Sequence, residues 1–409
     1  MSLVPVADAI ARLLDGASAL PAETVDLSRA AGRVLAADLK ALRTQPPFDA
    51  SAMDGYAVRA EDVATVPITL KIVGQAPAGH GFRGKVGKGE TVRIFTGAPM
   101  PEGTDAVVIQ ENTADQSAGH VTIVETLAKH RNVRLQGLDF KIDNPILNAG
   151  RLLDPAALSL IAAANHPTVP VVRKPVVAIL ATGDELLPPG SAPGPDQIIA
   201  SNSYGVAAVA QNNGATVMDL GIVPDREDRI AEAVRQAIEG GADVLVTLGG
   251  ASVGDHDLVR GVLTKAGMQL GFWKIAMRPG KPLMFGTMGN LRVLGLPGNP
   301  VASLVCSNLF LAPMLASLGG RPHNLDRRQA VLGTPMSEND NRQDYVRAIA
   351  AFKNGQLVAT PFTVQDSSML QTLANANALI VREPFAPAAP EGSQCTVIML
   401  RPPEMPNER

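Results

Sequence analysis

From residue 173 to residue 322, short apolar runs alternate with longer segments whose apolar positions recur at helical spacing. Such runs between turn signals are typical of buried strands. The pattern predicts strands at 176–180, 216–222, 243–248 and 292–296 and helices at 203–212, 226–239, 257–266 and 301–318. Because helices of this length separate the strands, we expect a doubly wound α/β domain with a parallel or mixed sheet.

Two other regions have a β-type pattern. Short β-type runs alternate with glycine and proline turns between residues 44 and 140, and a similar texture returns after residue 322. An amphipathic helix is predicted near the N-terminus. A further helix is predicted after Asp154, where Asp154 suits the N-cap and Pro155 the first helical position. The later helix follows the β-rich insert, and we expect it to pack with the first helices.

These patterns predict a multidomain α/β and β protein. A chain of 409 residues is too long for one ordinary core. The predicted domains are a discontinuous helical or mixed domain (1–43 plus 141–172), a β-rich insert (44–140), the central α/β domain (173–322) and a C-terminal β-rich domain (323–409).

Composition narrows the classes of function. A net charge of −3 and an aromatic content of 3% give no reason to expect nucleic acid or a membrane as partner. We expect no window with the apolar run that a membrane span needs. Only Cys306 and Cys395 are present, far apart, so neither a disulfide framework nor a thiolate metal site is expected. The default location is the cytoplasm.

The segment 243–257, DVLVTLGGASVGDHD, predicts a strand that opens into a binding loop. Gly249 and Gly250 let the backbone approach a ligand, and the amides of the loop, which includes Ser252, can attract an anionic group such as phosphate. Asp257 could hold a divalent cation that bridges this phosphate. The alternative is a glycine turn followed by solvated acids.

Two more loops follow predicted strands and are expected at the same edge of the sheet. ATGDEL places Asp184 and Glu185 after the first strand, where they suit cation or hydroxyl binding unless Asp184 only begins a turn. GLPGNP includes Pro297, Gly298 and Asn299, with Asn299 placed to cap the next helix. The N-terminus of that helix favours anions.

Charged residues near these loops add to the prediction. Lys274, Arg278 and Lys281 lie in a segment broken by proline and glycine, which suits recognition of an anionic ligand better than a solvated helical face. Asp225 precedes a helix, and its spacing to Asp228 resembles a capping box, so capping alone is an alternative to ligand binding.

Six motifs in order along the chain carry a resemblance to a known family. They are SAMDGYAV (51–58), FTGAPMPEGTDAVV (95–108), ATGDEL, GGASVGDHD, FWKIAMRPGKP and GLPGNPVAS. Together they resemble the molybdopterin molybdenumtransferase family, that of bacterial MoeA and the C-terminal part of gephyrin, over essentially the whole chain. The resemblance implies an enzyme of molybdenum cofactor biosynthesis that inserts molybdate into adenylylated molybdopterin with Mg²⁺ and releases AMP. It also implies a homodimer with its active site between subunits.

The resemblance also implies roles for individual residues. Asp54, Glu185, Asp257, Lys274 and Lys281 are expected to act in catalysis, with Asp184, Glu185 and Asp257 as metal ligands. The residues expected to bind substrate are Thr96, Asp139, Asp184, Asp225, Gly249, Gly250, Ser252, Arg278, Pro297, Gly298, Asn299, Arg347 and Ser367. Arg278 stands where relatives often have lysine.

Other functions stay open at this point. The first is a molybdopterin adenylyltransferase, which the resemblance implies is the α/β domain alone. The same resemblance makes that enzyme a candidate transient partner. The second is a non-catalytic scaffold or nucleotide-binding protein.

Overall fold

The computed structural model describes residues 3–117, 119–249 and 258–403, without the side chains of 115–117. Its α-helices are α1 (Val6–Leu14), α2 (Pro155–Ala163), α3 (Asn202–Asn212), α4 (Glu227–Glu239), α5 (Leu258–Lys265), α6 (Pro300–Cys306), α7 (Ala312–Leu318) and α8 (Leu370–Asn375). Short 3₁₀ segments are Leu27–Arg29, Ala60–Val63 and Gln110–Asn112, and Ser307–Leu311 is a π-helical segment.

The strands of the first half are β1 (Ala22–Asp26), β2 (Leu39–Lys40), β3 (Ala50–Ser51), β4 (Gly55–Val58), β5 (Ile68–Ala76), β6 (Glu90–Ile94), β7 (Ala106–Ile109), β8 (Thr113–Ser117), β9 (His120–Ile123), β10 (Val133–Arg134), β11 (Pro145–Leu147) and β12 (Thr168–Val172). Those of the second half are β13 (Val176–Thr182), β14 (Leu186–Leu187), β15 (Ile198–Ile199), β16 (Thr216–Val223), β17 (Val244–Leu248), β18 (Gln269–Trp273), β19 (Met277–Arg278), β20 (Met284–Met288), β21 (Leu291–Leu296), β22 (Arg327–Leu332), β23 (Gln343–Lys353), β24 (Gln356–Pro361), β25 (Ala378–Arg382) and β26 (Gln394–Met399).

The chain forms two compact units, Met1–Glu23 with Val172–Arg409 and Thr24–Val171. The first unit contains a six-stranded sheet in the order β16-β13-β17-β21-β20-β18. The first four strands are parallel, and β20 and β18 extend the sheet antiparallel. The predicted α/β fold with a parallel or mixed sheet is therefore confirmed, whereas β18 and β20 were not anticipated.

The side chains of β17 show why this sheet needs helices on both faces. Val244, Val246 and Leu248 are buried in one core cluster, and Leu245 is buried in the other. Successive side chains of a strand point to opposite faces of the sheet, so an almost wholly apolar strand must be covered by helices on both faces.

The N-terminal helix packs differently from the prediction. Val6, Ala9 and Leu13 of α1 are buried in the same cluster as strand residues of the α/β sheet. Helix α2 instead contributes Ala157 and Ile161 to a separate cluster in the other unit. The expected packing of α2 is therefore found only in part: it shares its cluster with Ala30, Leu35 and Leu39 of the segment after α1, but not with α1 itself. Amphipathic spacing shows that a helix buries one face, but it does not show which partner covers that face.

The segment from Pro300 to Leu318 corrects another expectation. It is long and apolar enough to cross a membrane by length and composition, although no such window was expected. However, 83% of the window is buried inside the protein. The segment packs through residues such as Val305, Phe310 and Leu315 in the core of the first unit, so its composition is that of a core helix.

The C-terminal region forms a second six-stranded sheet in the order β19-β23-β24-β22-β26-β25, and β23 also pairs with β25. That extra pairing closes the five longer strands on themselves. Many of their apolar side chains form a core cluster of their own, whereas Tyr345, Leu379 and Ile398 belong to the cluster of the α/β sheet. The predicted β-rich character of this region is confirmed, while helix α8 was not anticipated. The short β19 joins this sheet through the register Arg278↔Asp344.

The second unit contains a six-stranded sheet in the order β7-β4-β6-β5-β9-β8. Its two faces carry separate core clusters. The predicted β-rich character of this region is confirmed. Asp154 caps α2 as predicted, since its carboxylate accepts a hydrogen bond of 2.8 Å from the Ala157 amide. The four-domain boundaries themselves stay a prediction.

Candidate functional site

A cavity of about 670 Å³ lies at the carboxyl ends of β13, β17 and β21. This is the edge where ligands bind in doubly wound sheets. Three loops that the sequence singled out contribute to its lining, through Glu185, Gly249 and the segment 297–299. The other lining residues are Ala181, Thr182, Leu186, Ile198, Ile199, Ala200, Ser201, Asn202, Ser203, Leu248, Pro282, Pro300 and Ser368.

The first loop brings a carboxylate over a glycine. Gly183 has φ +151°, and a Cβ atom there would lie 2.4 Å from Oε2 of Glu185. The Glu185 side chain therefore occupies space that only glycine leaves open. The backbone carbonyl of Glu185 accepts a hydrogen bond of 2.8 Å from the amide of Ile198, which ties the loop to the β14–β15 ribbon.

Asp184 and Asp225 lie together beside this loop. The Asp225 amide donates a hydrogen bond of 3.2 Å to Oδ1 of Asp184. Burial, followed by the charges of Asp184 and Glu185, raises the pKa of Asp225. The structure thus brings together three of the predicted acidic site residues.

The proposed capping box at Asp225 is not formed. Helix α4 begins at Glu227, its N-cap position is Arg226, and no side chain caps it. The Asp228 carboxylate instead accepts hydrogen bonds from the guanidinium of Arg226. The capping alternative is therefore wrong, because the helix begins one residue later than the spacing required.

The second loop is described only at its start. Gly249 has φ +95°, and a Cβ atom there would lie 2.7 Å from the carbonyl oxygen of Thr182, so a glycine is required for this close approach. The hydroxyls of Thr182 and Thr247, both buried, have no hydrogen-bond partner among the described residues. Gly250, Ser252 and Asp257 lie outside the described residues.

The third loop contacts the C-terminal region. Asn299 occupies the N-cap position of α6, but its side chain makes no capping hydrogen bond. Its Nδ2 donates to Oγ of Ser367 at 2.8 Å, and the Val301 amide donates to the Ser367 carbonyl at 3.0 Å. Part of the helix N-terminus that was expected to favour anions is therefore satisfied by protein. Asn202 donates a hydrogen bond of 2.8 Å to the Gly298 carbonyl.

The three predicted cations do not form one group. The Lys274 ammonium lies 4.1 Å from the centroid of the Trp273 ring, beyond the end of β18. Lys281 is exposed and precedes Pro282, which lines the cavity. Arg278 instead lines a second cavity, of about 520 Å³. There it binds Asp344 and Asp340, with shortest distances of 2.5 and 3.3 Å, and the hydrogen bonds to Asp344 raise its pKa.

Arg347 lies inside the C-terminal sheet and lines this second cavity. It is 1% exposed, burial lowers its pKa, and its Nε has no partner among the described residues. Its Nη2 donates to the Asp366 carbonyl at 3.1 Å, next to Ser367. Arg347 thus supports the segment that contacts Asn299.

Asp54 and Thr96 form a pair in the second unit. Oδ1 of Asp54 accepts hydrogen bonds of 2.7 Å from both the amide and the hydroxyl of Thr96. These bonds, the amide first, hold the pKa of Asp54 below its usual range. The next residue, Gly55, has no room for a side chain, because a Cβ atom would lie 1.9 Å from the Val108 carbonyl oxygen. Asp139 is exposed, and its amide donates to the Gln45 carbonyl at 3.0 Å.

Several cavity residues carried little sequence signal. Thr182 could have been anticipated because it directly precedes the loop glycine. Asn202 and Ser368 lie on segments far apart in sequence, and nothing in their local pattern distinguishes them. Their place in the cavity comes from tertiary packing.

Family models match nearly the whole chain in three parts. Residues 4–165 match the MoeA N-terminal region (domain I and II), residues 178–317 a probable molybdopterin binding domain, and residues 329–400 the MoeA C-terminal region (domain IV). These matches, together with the fold, place the chain among the proteins of molybdenum cofactor biosynthesis.

Curated relatives narrow the class further. A molybdopterin molybdenumtransferase of Haemophilus influenzae is 36% identical over 88% of this chain and 89% of its own length. One of Bacillus subtilis is 34% identical over 97% and 94%, respectively. The chain belongs to the molybdopterin molybdenumtransferase family, and the alternatives of an adenylyltransferase or a scaffold are not favoured.

Solved structures agree with this assignment. The molybdopterin biosynthesis MoeA protein from Pyrococcus horikoshii matches with a TM-score of 0.82 and 28% identity, covering 98% of this chain and 100% of that one. A second structure of a MoeA protein from Pyrococcus horikoshii OT3 matches with a TM-score of 0.78 and 26% identity, covering 97% and 100%.

Proposed function

We propose that this enzyme inserts molybdate into adenylylated molybdopterin, releasing AMP and forming the molybdenum cofactor. The observation that carries the proposal is the cavity of about 670 Å³ on which the loops of Glu185, Gly249 and Asn299 converge. A cavity of this size suits a ligand composed of a pterin, a pyrophosphate and a nucleoside. Membership of the family supplies the reaction type.

The cavity offers partners for the anionic parts of this substrate. Its lining includes the side chains of Thr182, Asn202 and Ser368 and the backbone of Gly249 and Gly298. In this proposal Lys281, exposed next to Pro282, and Lys274 attract the phosphates and molybdate. Arg278 serves substrate binding less directly, since its guanidinium is bound by Asp340 and Asp344.

Mg²⁺ is the cation we assign to the reaction, with Asp184, Glu185 and Asp257 as candidate ligands. Among the described residues no group of three or more acidic, His or Cys side chains could hold a metal by itself. That donor set still fits Mg²⁺, which usually binds through one or two carboxylates plus substrate phosphates and water. When bound, the ion would neutralise charge on the phosphoanhydride during its hydrolysis.

We assign a role in catalysis to Asp54, with Thr96 and Asp139 as substrate contacts supplied within a homodimer. The described residues of the second unit carry exposed large apolar side chains on two adjoining segments: Leu42, Phe48, Met53, Leu135, Leu138 and Ile142. The bridge Gln45↔Phe140 and the hydrogen bond from the Gly137 amide to the Pro46 carbonyl hold these segments side by side. Apolar patches of this kind mark protein interfaces, which supports a second copy as partner.

We further propose a cytoplasmic location, the four domains predicted above, and a molybdopterin adenylyltransferase as transient partner. The substrate is the product of such an enzyme, so direct transfer would protect it.

The test is molybdate-dependent release of AMP from adenylylated molybdopterin by the purified protein with Mg²⁺. Glu185→Gln and Asp54→Asn are expected to slow release at least about a hundredfold, and the surface variant Glu239→Gln is expected to behave as wild type. AMP release at the wild-type rate in both site variants would contradict the assignments. Accumulation of adenylylated molybdopterin from ATP and molybdopterin would favour the adenylyltransferase instead.

A further inference from the structure

Arg93 is a cation held between two aromatic rings on the central strand β6 of the second unit. Its guanidinium carbon lies 4.9 Å from the centroid of Tyr56 and 5.3 Å from that of Phe95. Tyr56 is its directly opposite neighbour on β4, so the sheet register itself produces the first contact. Cation–π contacts of this kind are stabilising when the cation is partly desolvated.

The guanidinium is held in this position rather than free to turn to solvent. Its Nη2 donates to Oε1 of Gln110, and its Nη1 is buried without a hydrogen-bond partner among the described residues. An unpaired buried N–H costs free energy that an arginine could avoid by swinging outward. The two rings and Gln110 must therefore outweigh that cost.

All three partners of Arg93 adjoin the Asp54–Thr96 pair. Tyr56 follows Asp54 by two residues, and Phe95 directly precedes Thr96. The Gln110 amide donates a hydrogen bond of 3.2 Å to the Asp54 carbonyl. Arg93 thus contacts the segments that present the carboxylate and its hydrogen-bond donor.

We propose that Arg93 is a positioning residue that fixes the hydrogen-bonded pair of Asp54 and Thr96. It acts in two ways: its planar side chain holds the Phe95–Thr96 turn against β4, and its positive charge favours the ionised carboxylate of Asp54. The charge of Arg93 lowers the pKa of Asp54, although less than the hydrogen bonds from Thr96 do. The consequence for turnover rests on the function proposed above, whereas the positioning does not.

The amide of Thr96 is a direct probe, because it donates to the Asp54 carboxylate. We would measure its hydrogen exchange and its chemical shift against pH by NMR of the threonine-labelled full-length protein. In Arg93→Gln, exchange of this amide is expected to be about fivefold faster, since a charge-assisted hydrogen bond is weakened. Its titration midpoint is expected at higher pH, because removing a positive charge raises the pKa of Asp54.

Two further variants separate the effects of charge and shape. Arg93→Lys keeps the charge, so it is expected to restore the titration midpoint but not the full protection from exchange. Gln110→Ala leaves the charge and both rings, and it should speed exchange to a smaller extent. Lys71→Gln, on the neighbouring strand β5, is the matched control and should leave the Thr96 signal unchanged. If Arg93→Gln fails to fold, Arg93→Lys and Gln110→Ala carry the test.

An unchanged Thr96 exchange rate and midpoint in folded Arg93→Gln would overturn the proposal, as would equal changes in Lys71→Gln. If the Thr96 signal shifts while AMP release keeps its wild-type rate, the positioning role stands and the role of Asp54 in the reaction is refuted. If both change and Arg93→Lys recovers part of the lost kcat, both inferences are supported.

Discussion

Replacing Gly183 with alanine tests the geometry of the cavity without removing any functional group. The added Cβ would lie 2.4 Å from Oε2 of Glu185, whereas distances below 3.0 Å are essentially never seen and ordinary contact begins at 3.4 Å. The carboxylate oxygen must therefore withdraw by 0.6 to 1.0 Å. A displacement of this size costs a well-oriented catalytic group roughly a hundredfold in rate.

The same substitution also strains the backbone, because Gly183 has φ +151°. This backbone strain is expected to lower the free energy of unfolding by about 1 to 3 kcal/mol. Gly190 provides the matched control, since it has φ +92° but a Cβ atom there would meet nothing within 4 Å. Gly190→Ala thus carries a backbone cost without the contact with Glu185.

The assay combines urea unfolding with molybdate-dependent AMP release at saturating substrate. We expect both variants to lose stability to a similar extent, but only Gly183→Ala to lose about ten- to a hundredfold in kcat. Comparable kcat values for the two alanine variants would refute the view that the position of Glu185 matters. Loss of kcat in both would assign the effect to the backbone.

Three other predictions concern contacts outside the catalytic groups. Arg292→Met should lower the free energy of unfolding by roughly 2 kcal/mol, because it removes two charged hydrogen bonds, of 2.9 Å to the Leu13 carbonyl and 3.0 Å to the Asp15 carbonyl. In the same urea titration, the surface variant Arg235→Met should leave the free energy of unfolding nearly unchanged. Hydrogen bonds from Arg342 lower the pKa of Asp340 to about 2, so the free energy of unfolding of wild type should exceed that of Asp340→Asn above pH 3.8. The difference should be less than about 1 kcal/mol, because solvent screens this exposed pair, and in urea titrations it should fade as the pH falls towards 2. A double-mutant cycle of Asn299→Ala and Ser367→Ala should give a coupling of about 0.5 to 1.5 kcal/mol for their 2.8 Å hydrogen bond, and additive effects would contradict that contact.

The α/β domain could be predicted because its strands have clear signals. Runs such as Val244–Leu248 are buried on both faces, and the glycines that end them mark loops at one edge. The rule that parallel strands present their carboxyl ends together then placed Glu185, Gly249 and Asn299 around one cavity. That part of the site follows from the order and direction of the strands alone.

The segment 272–282 shows where such reasoning ends. Its prolines and glycines favoured a loop, yet Trp273 ends β18 and Met277–Arg278 forms β19. Strands this short have too few residues for a period to be recognised. Arg278 was interpreted as part of an anion site, but its partners Asp340 and Asp344 follow more than sixty residues later in the chain, where no local pattern could indicate the ion pairs.

The contacts of Ser367 change how the third loop should be understood. A helix N-terminus binds anions through amides that no protein group has satisfied. Here Pro300 has no amide hydrogen, and the Val301 amide already donates to the Ser367 carbonyl. Arg347 donates a hydrogen bond to the adjacent Asp366 carbonyl and so helps to hold this segment. In the proposed function we therefore expect the loop to bind its ligand chiefly through its shape and the exposed backbone of Gly298. The C-terminal region satisfies part of the helix terminus through Ser367. Arg347, although buried, would then influence the cavity through the contacts of residues 366 and 367 with the third loop.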